Sequence, residues 1–228
     1  MAERAGLVQP LVLGAGLGRR FGADGGKLTA PLAGVPLISH LLAALERSAE
    51  RHLVAQPLLV VQPQAAPLIA LARAHGCLVE TVSSDALSTS LRAGVSARPD
   101  AAAWLMLLAD QPFSTAVHWR PLIVRWQAGA QAVFSDGGYG PQPPAIFDHS
   151  LGELLRNLTG DRGASQLIGR LNQPPAVVRF SPGLWMRDID TRQDLLEIEG
   201  QIKARQRGRT PGLAGGGGKG PGSAGSAP

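Results

Sequence analysis

Residues 11–28 read LVLGAGLGRRFGADGGKL, a short apolar run followed by a glycine-rich loop with two adjacent arginines and one lysine. An apolar run that ends in such a loop is typical of a buried strand leading into an anion-binding turn, because glycine amides can approach a phosphate closely. Arg20 and Lys27 add fixed positive charge to the loop. The stretch therefore predicts an α/β fold in which this loop binds a phosphate-bearing ligand.

Two familiar phosphate loops do not match this spacing. A dinucleotide fingerprint counted from Gly14 requires a third glycine where the chain has Arg19. A Walker loop ending at Lys27 requires glycine and then serine or threonine at positions occupied by Phe21 and Leu28. What remains is a loop of bare backbone amides with two cations, for which a polyphosphate is the expected anion.

Lys27 is also unusual by composition. Residues 1–202 contain sixteen arginines and a single lysine. A compact ammonium fits where a planar guanidinium does not. We therefore expect Lys27 to serve in the site, the alternative being that one lysine fell in this loop by chance.

The first half of the chain alternates strand and helix patterns. Apolar runs rich in valine and leucine, which predict strands buried on both faces, lie at 7–13, 57–62, 77–82 and 103–109. Residues 36–50 carry leucines at helical spacing and predict a crossover helix. Because Pro10 cannot donate to a ladder, the first strand is expected to begin only at Leu11. The alternation predicts a mostly parallel, Rossmann-like sheet with helices on both faces and a ligand at the carboxyl ends of its strands.

Beyond residue 130 the pattern is less regular, without an obvious linker. Short apolar runs lie at 131–134, 144–147, 175–179 and 184–189, and helical patterns at 149–156, 163–171 and 192–203. We expect a single folded domain over residues 1–207. The glycine- and proline-rich stretch 208–228 has almost nothing to bury and is expected to be a disordered tail.

Charge and composition exclude several function classes. The formal charge of +5 comes from five basic residues after Glu199, since the other 17 basic residues balance 17 acidic ones. A nucleic-acid partner is therefore not expected. The lone Cys77 allows no internal disulfide, and the five histidines lack zinc-ligand spacing. No apolar stretch is long enough for a membrane span, so a cytoplasmic enzyme or binding protein is expected.

Two acidic segments could hold the Mg²⁺ that a bound triphosphate requires. Asp110 directly follows the apolar run 103–109 and is therefore expected at the carboxyl edge of the sheet, although a turn residue before proline is the alternative. Asp188 and Asp190, separated by Ile189, are two further candidates, of which only one is expected to be the metal ligand. Thr191 with an acid three residues later resembles a capping box, and we expect Asp190, just before this cap, to be the ligand.

Three of these segments together resemble a known family. Residues 13–42, LGAGLGRRFGADGGKLTAPLAGVPLISHLL, resemble the N-terminal signature of the MobA-like NTP transferases that act on molybdenum cofactor. LADQPF at 108–113 and DIDTRQDL at 188–195 are similar to the two metal-binding motifs of its cytidylyltransferases. The resemblance spans roughly residues 7–203. The chain departs from the usual signature at Gly14, where alanine is commoner, and in a longer stretch before Lys27.

The resemblance implies roles for further residues. SSDALSTSLRAGV at 83–95 is similar to the family's nucleotide-pocket segment, and Ser88 is placed there as a helix N-cap. GPQPPAIF at 140–147 and LTGDRGASQLI at 158–168 resemble segments on the pterin side. The implied catalytic residues are Arg20, Lys27 and Asp110, and the implied metal ligands Asp110 and Asp190. The implied nucleotide-binding residues are Leu13, Gly14, Ala15, Gly16, Gly18, Ser88, Ser90, Arg92 and Gly94, and the acceptor-binding residues Pro144, Gly160, Asp161 and Arg162.

The resemblance further implies transfer of CMP from CTP to molybdopterin with Mg²⁺ as cofactor, by a nucleotide-binding half of about 1–115 and a pterin half of about 116–207. A guanylyltransferase, or another small-molecule NTP transferase of the family, is the nearest alternative. A non-catalytic carrier that delivers the cofactor to a molybdenum hydroxylase apo-enzyme of the xanthine dehydrogenase type is an alternative of another class. A dinucleotide-binding oxidoreductase is disfavoured by Arg19.

Overall fold

The computed structural model describes residues 6–16, 18–22, 26–160, 163–171 and 173–208. The strands are β1 (Gln9–Leu13), β2 (Pro31–Leu32), β3 (Val35–Pro36), β4 (Leu58–Val61), β5 (Leu78–Thr81), β6 (Ala103–Leu108), β7 (Ala132–Asp136), β8 (Gln142–Asp148) and β9 (Ala176–Arg179). The α-helices are α1 (Leu37–Glu50), α2 (Ala66–Ala74), α3 (Leu87–Ala97), α4 (Ala116–Gln127), α5 (Gly152–Arg156) and α6 (Arg192–Gly208). Within these ranges no helix combines the length and apolar character that a membrane crossing requires.

Seven strands form one sheet in the order β5-β4-β1-β6-β8-β7-β9, and β2 with β3 forms a separate hairpin. β1 pairs in parallel with β4 and β6, β4 with β5, and β7 with β9. β8 runs antiparallel between β6 and β7. The predicted mostly parallel sheet is confirmed, with one reversed strand that the sequence pattern did not reveal.

Each face of the sheet carries its own hydrophobic core. On β6, Leu105 and Leu107 pack into the core covered by α1, α2, α4 and α6, whereas Trp104 and Met106 pack into the core covered by α3 and α5. A strand buried on both faces needs an apolar residue at nearly every position, which explains its continuous apolar run. The prediction of helices on both faces is confirmed.

The register brings distant parts of the chain to one edge of the sheet. Leu13 at the end of β1 lies opposite Leu108 at the end of β6, so the glycine-rich loop and Asp110 emerge side by side. Because β8 is antiparallel, its first residue, Gln142, lies toward this same edge. The carboxyl edge of β1 and β6 is therefore where a ligand would meet both segments.

Two boundary predictions in the first half are wrong. β1 begins at Gln9 and includes Pro10, because the proline lies near the start of the strand and its missing N–H removes only an early rung. The helix predicted from residue 36 begins at Leu37, and Pro36 ends β3.

The second half also differs from the sequence pattern. Residues 184–189 do not form a strand: a 3₁₀ turn at Leu184–Met186 leads into an irregular segment. Residues Gly163–Arg170 form a 3₁₀ helix. The last helix runs beyond residue 203 to Gly208. The tail was predicted to start at residue 208, but Gly208 is the last residue of this helix, and residues 209–228 lie outside the described residues.

Candidate active site

The loop after β1 continues the sheet and then turns away from it. Gly14 N–H donates to the Val60 carbonyl at 2.8 Å, as the next rung of the β1–β4 ladder. Gly18 has φ of +57°, which favours glycine, and a β-carbon there would lie 3.2 Å from Lys27 Cβ. Gly18 thus allows the two ends of the loop to approach each other closely.

The loop, Lys27 and Asp110 enclose a small cavity of about 70 Å³, the size of a few atoms. Gly14, Gly16 and Gly18 line one side, together with Leu13. Gly16 has open space above its α-carbon, and Ala15 is buried. Four of the predicted nucleotide-binding residues thus line one space, which Leu28 and Ala109 also line.

Lys27 lies between the two predicted metal ligands. Its Nζ is 2.7 Å from Asp110 Oδ2 and 2.9 Å from Asp190 Oδ1, and its side chain is 10% exposed. Burial lowers the pKa of Lys27, but the charges and hydrogen bonds of Asp110 and Asp190 outweigh it and hold the pKa above its ordinary value. The structure therefore brings two carboxylates from distant positions of the chain onto one largely buried ammonium.

Arg20 completes the group from the solvent side. Its Nη1 is 3.4 Å from Asp190 Oδ2, and its side chain is 80% exposed. Such an exposed contact contributes little to stability, which leaves the guanidinium available to an incoming anion. Exposed Arg20 thus contacts one carboxylate oxygen of Asp190, and largely buried Lys27 contacts the other.

Asp188 and Asp190 have different partners. Asp188 Oδ1 accepts a hydrogen bond of 2.9 Å from Gln111 Nε2, whereas Asp190 contacts Lys27 and Arg20. Partial burial and then the negative charge of Asp110 raise the pKa of Asp188 above its ordinary value, although the side chain keeps contact with solvent. The two carboxylates lie on either side of buried Ile189, whose N–H donates to the Asp110 carbonyl at 3.1 Å.

The predicted capping box at the start of α6 is confirmed. Thr191 N–H donates to Asp194 Oδ2 at 2.8 Å, and Asp194 N–H donates to Thr191 Oγ1 at 3.1 Å. Hydrogen bonds from Thr191 hold the pKa of Asp194 below its usual range. The cap fixes the chain immediately after Asp190 and so limits where that carboxylate can lie.

Segment 83–95 does not form the predicted N-cap. α3 begins at Leu87 and its N-cap is Ala86, so Ser88 lies inside the first turn and its hydroxyl is not at the capping position. Ser88 and Ser90 are buried and Arg92 is exposed. A β-carbon at Gly94 would lie 3.2 Å from Leu11 and Val60, so this glycine permits close packing of α3 on the sheet.

The predicted acceptor-side residues are only partly described. Pro144 lies in β8, and its carbonyl accepts a hydrogen bond of 2.7 Å from Ser135 Oγ. Gly160 has φ of +77° with open space around it. Asp161 and Arg162 lie outside the described residues. Neither Pro144 nor Gly160 lines the cavity beside Lys27 and Asp110.

The donor set at Asp110 and Asp190 fits a magnesium ion. Mg²⁺ prefers hard oxygen ligands and is commonly held by one or two protein carboxylates together with substrate phosphates. Both carboxylates already face a common cationic group, the ammonium of Lys27. Among the described residues no group of three or more His, Cys, Asp or Glu side chains has metal-binding geometry, so substrate oxygens would have to supply further ligands.

Three supporting residues were missed at the sequence level. Gln62 Nε2 donates to the Ala15 carbonyl at 2.8 Å, and Arg192 Nε donates to the Phe21 carbonyl at 3.3 Å, so both hold the glycine-rich loop. Gln111 holds Asp188. Gln111 and Arg192 lie inside the quoted motifs, but the signal for them is weak because each acts through a neighbour in space rather than in sequence.

Comparison with solved structures gives the same fold at low identity. Rv0371c from Mycobacterium tuberculosis H37Rv matches at 22% identity and a TM-score of 0.71, covering 85% of this chain and 98% of that one. A structure of Rv0371c in complex with manganese matches with a TM-score of 0.67. A nucleotidyl transferase from Methanothermobacter thermautotrophicus matches at 19% identity and a TM-score of 0.70, covering 88% and 100%.

A further match is molybdopterin-guanine dinucleotide biosynthesis protein A from Archaeoglobus fulgidus, at 19% identity and a TM-score of 0.63, covering 86% of this chain and 100% of that one. Among curated proteins, none matches the chain. The sequence profile described as the MobA-like NTP transferase domain matches residues 10–175, which is most of the chain. The chain therefore belongs to the MobA-like NTP transferase family.

Proposed function

We propose that the protein transfers CMP from CTP to the terminal phosphate of molybdopterin carrying molybdenum, releasing pyrophosphate and forming molybdopterin cytosine dinucleotide. Family membership supports nucleotidyl transfer. The motifs LADQPF and DIDTRQDL favour cytidylyl transfer, because guanylyltransferase relatives more often carry LAGG at the start and an asparagine-rich segment at the end.

The observation that carries the proposal is the position of Lys27 between Asp110 and Asp190 at the mouth of the glycine-rich loop. Two carboxylates and a buried ammonium beside a cavity lined by three glycines match the needs of a metal-bound triphosphate. A structural salt bridge alone would not require a neighbouring loop with open space above the Gly16 α-carbon.

Asp110 and Asp190 would hold Mg²⁺, which supplies neutralisation of phosphate charge when bound. The manganese complex of Rv0371c supports the use of a divalent cation at this fold. Lys27, which lies between the two acids, would then contact the phosphates of the nucleotide. Arg20, exposed at the rim, would contact the triphosphate from the solvent side.

The chain's residues need to align and screen the reactants rather than remove a proton. The attacking phosphate of the acceptor is already an anion, so a strong general base is not required. The glycine amides would receive the departing pyrophosphate, while Lys27 and Arg20 stabilise charge that develops at the α-phosphate. This division of roles explains why the site is rich in cations and amides and why no histidine is assigned to it.

The experiment is to incubate the purified protein with Mg²⁺, molybdenum-carrying molybdopterin and each nucleoside triphosphate in turn, and to identify the product by mass analysis. Molybdopterin cytosine dinucleotide formed with CTP, together with pyrophosphate, is the expected result. Product formed with GTP but not with CTP would establish the guanylyltransferase alternative. The structural match to the Archaeoglobus fulgidus protein is the reason to include GTP. Binding of molybdopterin without any nucleotide transfer would establish the carrier alternative.

A further inference from the structure

Gln111 is a buried polar residue next to the site. The residue is 3% exposed, its Nε2 donates to Asp188 Oδ1 at 2.9 Å, and its Oε1 is buried without a hydrogen-bond partner among the described residues. A buried amide with one unsatisfied end carries a desolvation cost that packing alone does not explain. The arrangement indicates that the bond to Asp188 has a role of its own.

The bond joins two parts of the chain that must meet at the site. Gln111 directly follows Asp110, and Asp188 precedes Asp190 by two residues. The Ile189 N–H adds a second link, to the Asp110 carbonyl at 3.1 Å. The two links lie side by side and fasten the segment around Ile189 onto the end of β6.

The cap of α6 also holds this segment, since the Asp190 N–H donates to Asp194 Oδ2 at 3.1 Å, and Arg187 forms ion pairs with Asp194 and Glu197. Residues 187–190 form no helix or strand, so no ladder of backbone hydrogen bonds fixes them. Ile189 is fully buried, and the acids on either side of it have different partners, Gln111 for Asp188 and Lys27 for Asp190. Gln111 thus holds one acid of this segment and Lys27 holds the other.

We propose that Gln111 and Asp188 form a positioning pair that orients Asp190 toward the metal, and that Asp188 is not itself a metal ligand. The inference rests on the proposed function, because it takes Asp110 and Asp190 as the metal ligands. It assigns Gln111 and Asp188 a task that acts through Asp190. Displacing a site carboxylate by about 1 Å can cost a reaction on the order of 10²-fold in rate.

The test measures the affinity for Mn²⁺ alone, by electron paramagnetic resonance, in the full-length protein and four variants. Asp190→Asn removes a ligand and should weaken Mn²⁺ binding strongly. Asp188→Asn keeps an oxygen that accepts from Gln111 and should bind Mn²⁺ within about threefold of wild type. Asp188→Ala and Gln111→Met break the pair and should weaken binding by about 10- to 100-fold, the range for residues that orient a metal ligand.

The melting temperature of each variant separates misplacement from unfolding. Gln111→Met is nearly isosteric and removes the unpaired buried Oε1, so it should fold at least as well as Asp188→Ala. A matched loss of Mn²⁺ affinity and of kcat in Gln111→Met, with a native melting temperature and an unchanged KM for CTP, supports a positioning role.

Two results would overturn the inference. Asp188→Asn weakening Mn²⁺ binding as much as Asp190→Asn does would make Asp188 a ligand, and Gln111→Met binding like wild type would deny any positioning. Normal Mn²⁺ binding by Asp190→Asn would show instead that the proposed metal site is wrong. The positioning role would then be wrong as well, because it acts through Asp190.

Discussion

At the scale of the residue, the site depends on a single lysine in an arginine-rich chain. Lys27 Nζ reaches two carboxylates at 2.7 and 2.9 Å with its side chain nearly buried. A guanidinium is larger and planar, and could not take the same place between the acids without moving them. The composition pointed to Lys27, but its direct contact with both acids depends on the fold.

Lys27→Met should lower kcat/KM for nucleotidyl transfer by on the order of 10²- to 10³-fold, because the site loses its buried positive charge. Mn²⁺ alone should bind this variant more tightly than wild type, since Asp110 and Asp190 no longer share the ammonium. Pyrophosphate release and Mn²⁺ titration are the measurements. Lys27→Arg serves as the control that keeps the charge, and recovery of most of the activity in it would contradict the argument from size.

At the scale of the element, two helix starts hold segments near the site. The Thr191–Asp194 cap begins α6 directly after Asp190, and Thr115 with His118 forms a capping box at the start of α4. The first was predictable because threonine and an acid stand three residues apart. The second was not, because histidine is an uncommon residue for the third helical position of this motif.

Thr191→Ala should reduce the free energy of unfolding by about 1 kcal/mol, the usual cost of losing a helix cap. It should also lower kcat, because the chain after Asp190 is less firmly held. Chemical denaturation and steady-state kinetics measure the two effects. Thr191→Ser keeps the hydroxyl and is the matched control; equal losses in both variants would show that the cap is not responsible.

His118 predicts a pH dependence of stability. Burial lowers its pKa below the ordinary value near 6.5, and its Nδ1 accepts a hydrogen bond of 3.1 Å from the Thr115 N–H. His118 therefore binds a proton more readily in the unfolded chain than in the folded one. The contribution of neutral His118 to the free energy of unfolding is complete above about pH 6.5 and declines as the pH falls through the folded-state pKa.

Thermal unfolding from pH 5 to 8 measures the effect. His118→Gln keeps a capping acceptor without titrating in this range, and its melting temperature should fall less steeply than that of wild type as the pH is lowered. Parallel curves for the two proteins would assign the dependence to other groups.

At the scale of the whole molecule, the sheet order assembles the site. Parallel β1 and β6 place the loop and Asp110 together, and the segment before α6 returns across the end of β6 with Asp190. The alternation of apolar runs predicted this sheet because each strand is buried on both faces. The reversed β8 was not predictable, because its place between β6 and β7 depends on pairing with distant strands.

The candidate site was likewise predictable only in part. The loop, Lys27, Asp110 and Asp190 could be chosen from local composition and position after apolar runs. Residues 188–190 resembled a strand because buried Ile189 stands between two acids, yet one buried side chain without a neighbouring strand does not form a sheet. The Gln111–Asp188 bond spans distant parts of the chain and has no sequence pattern.

Nucleotide preference can be tested on the intact protein without the pterin. In the presence of Mg²⁺, CTP should raise the melting temperature more than GTP does, because a ligand that binds the native state stabilises it by about 2.7 kcal/mol at 100 times its Kd. Differential scanning fluorimetry over a nucleotide titration gives the comparison. A larger shift with GTP would favour guanylyl transfer.

The most direct test of the reactive centre is the rate of pyrophosphate release from CTP with Mg²⁺ and molybdenum-carrying molybdopterin, compared between wild type and Asp110→Ala. Asp100→Ala, an exposed acid in a turn away from the site, is the matched control. If Asp110 and Lys27 act around one metal-bound triphosphate, Asp110→Ala should slow release by on the order of 10²-fold or more, while Asp100→Ala stays at the wild-type rate. An Asp110→Ala protein that releases pyrophosphate as fast as wild type would contradict the account.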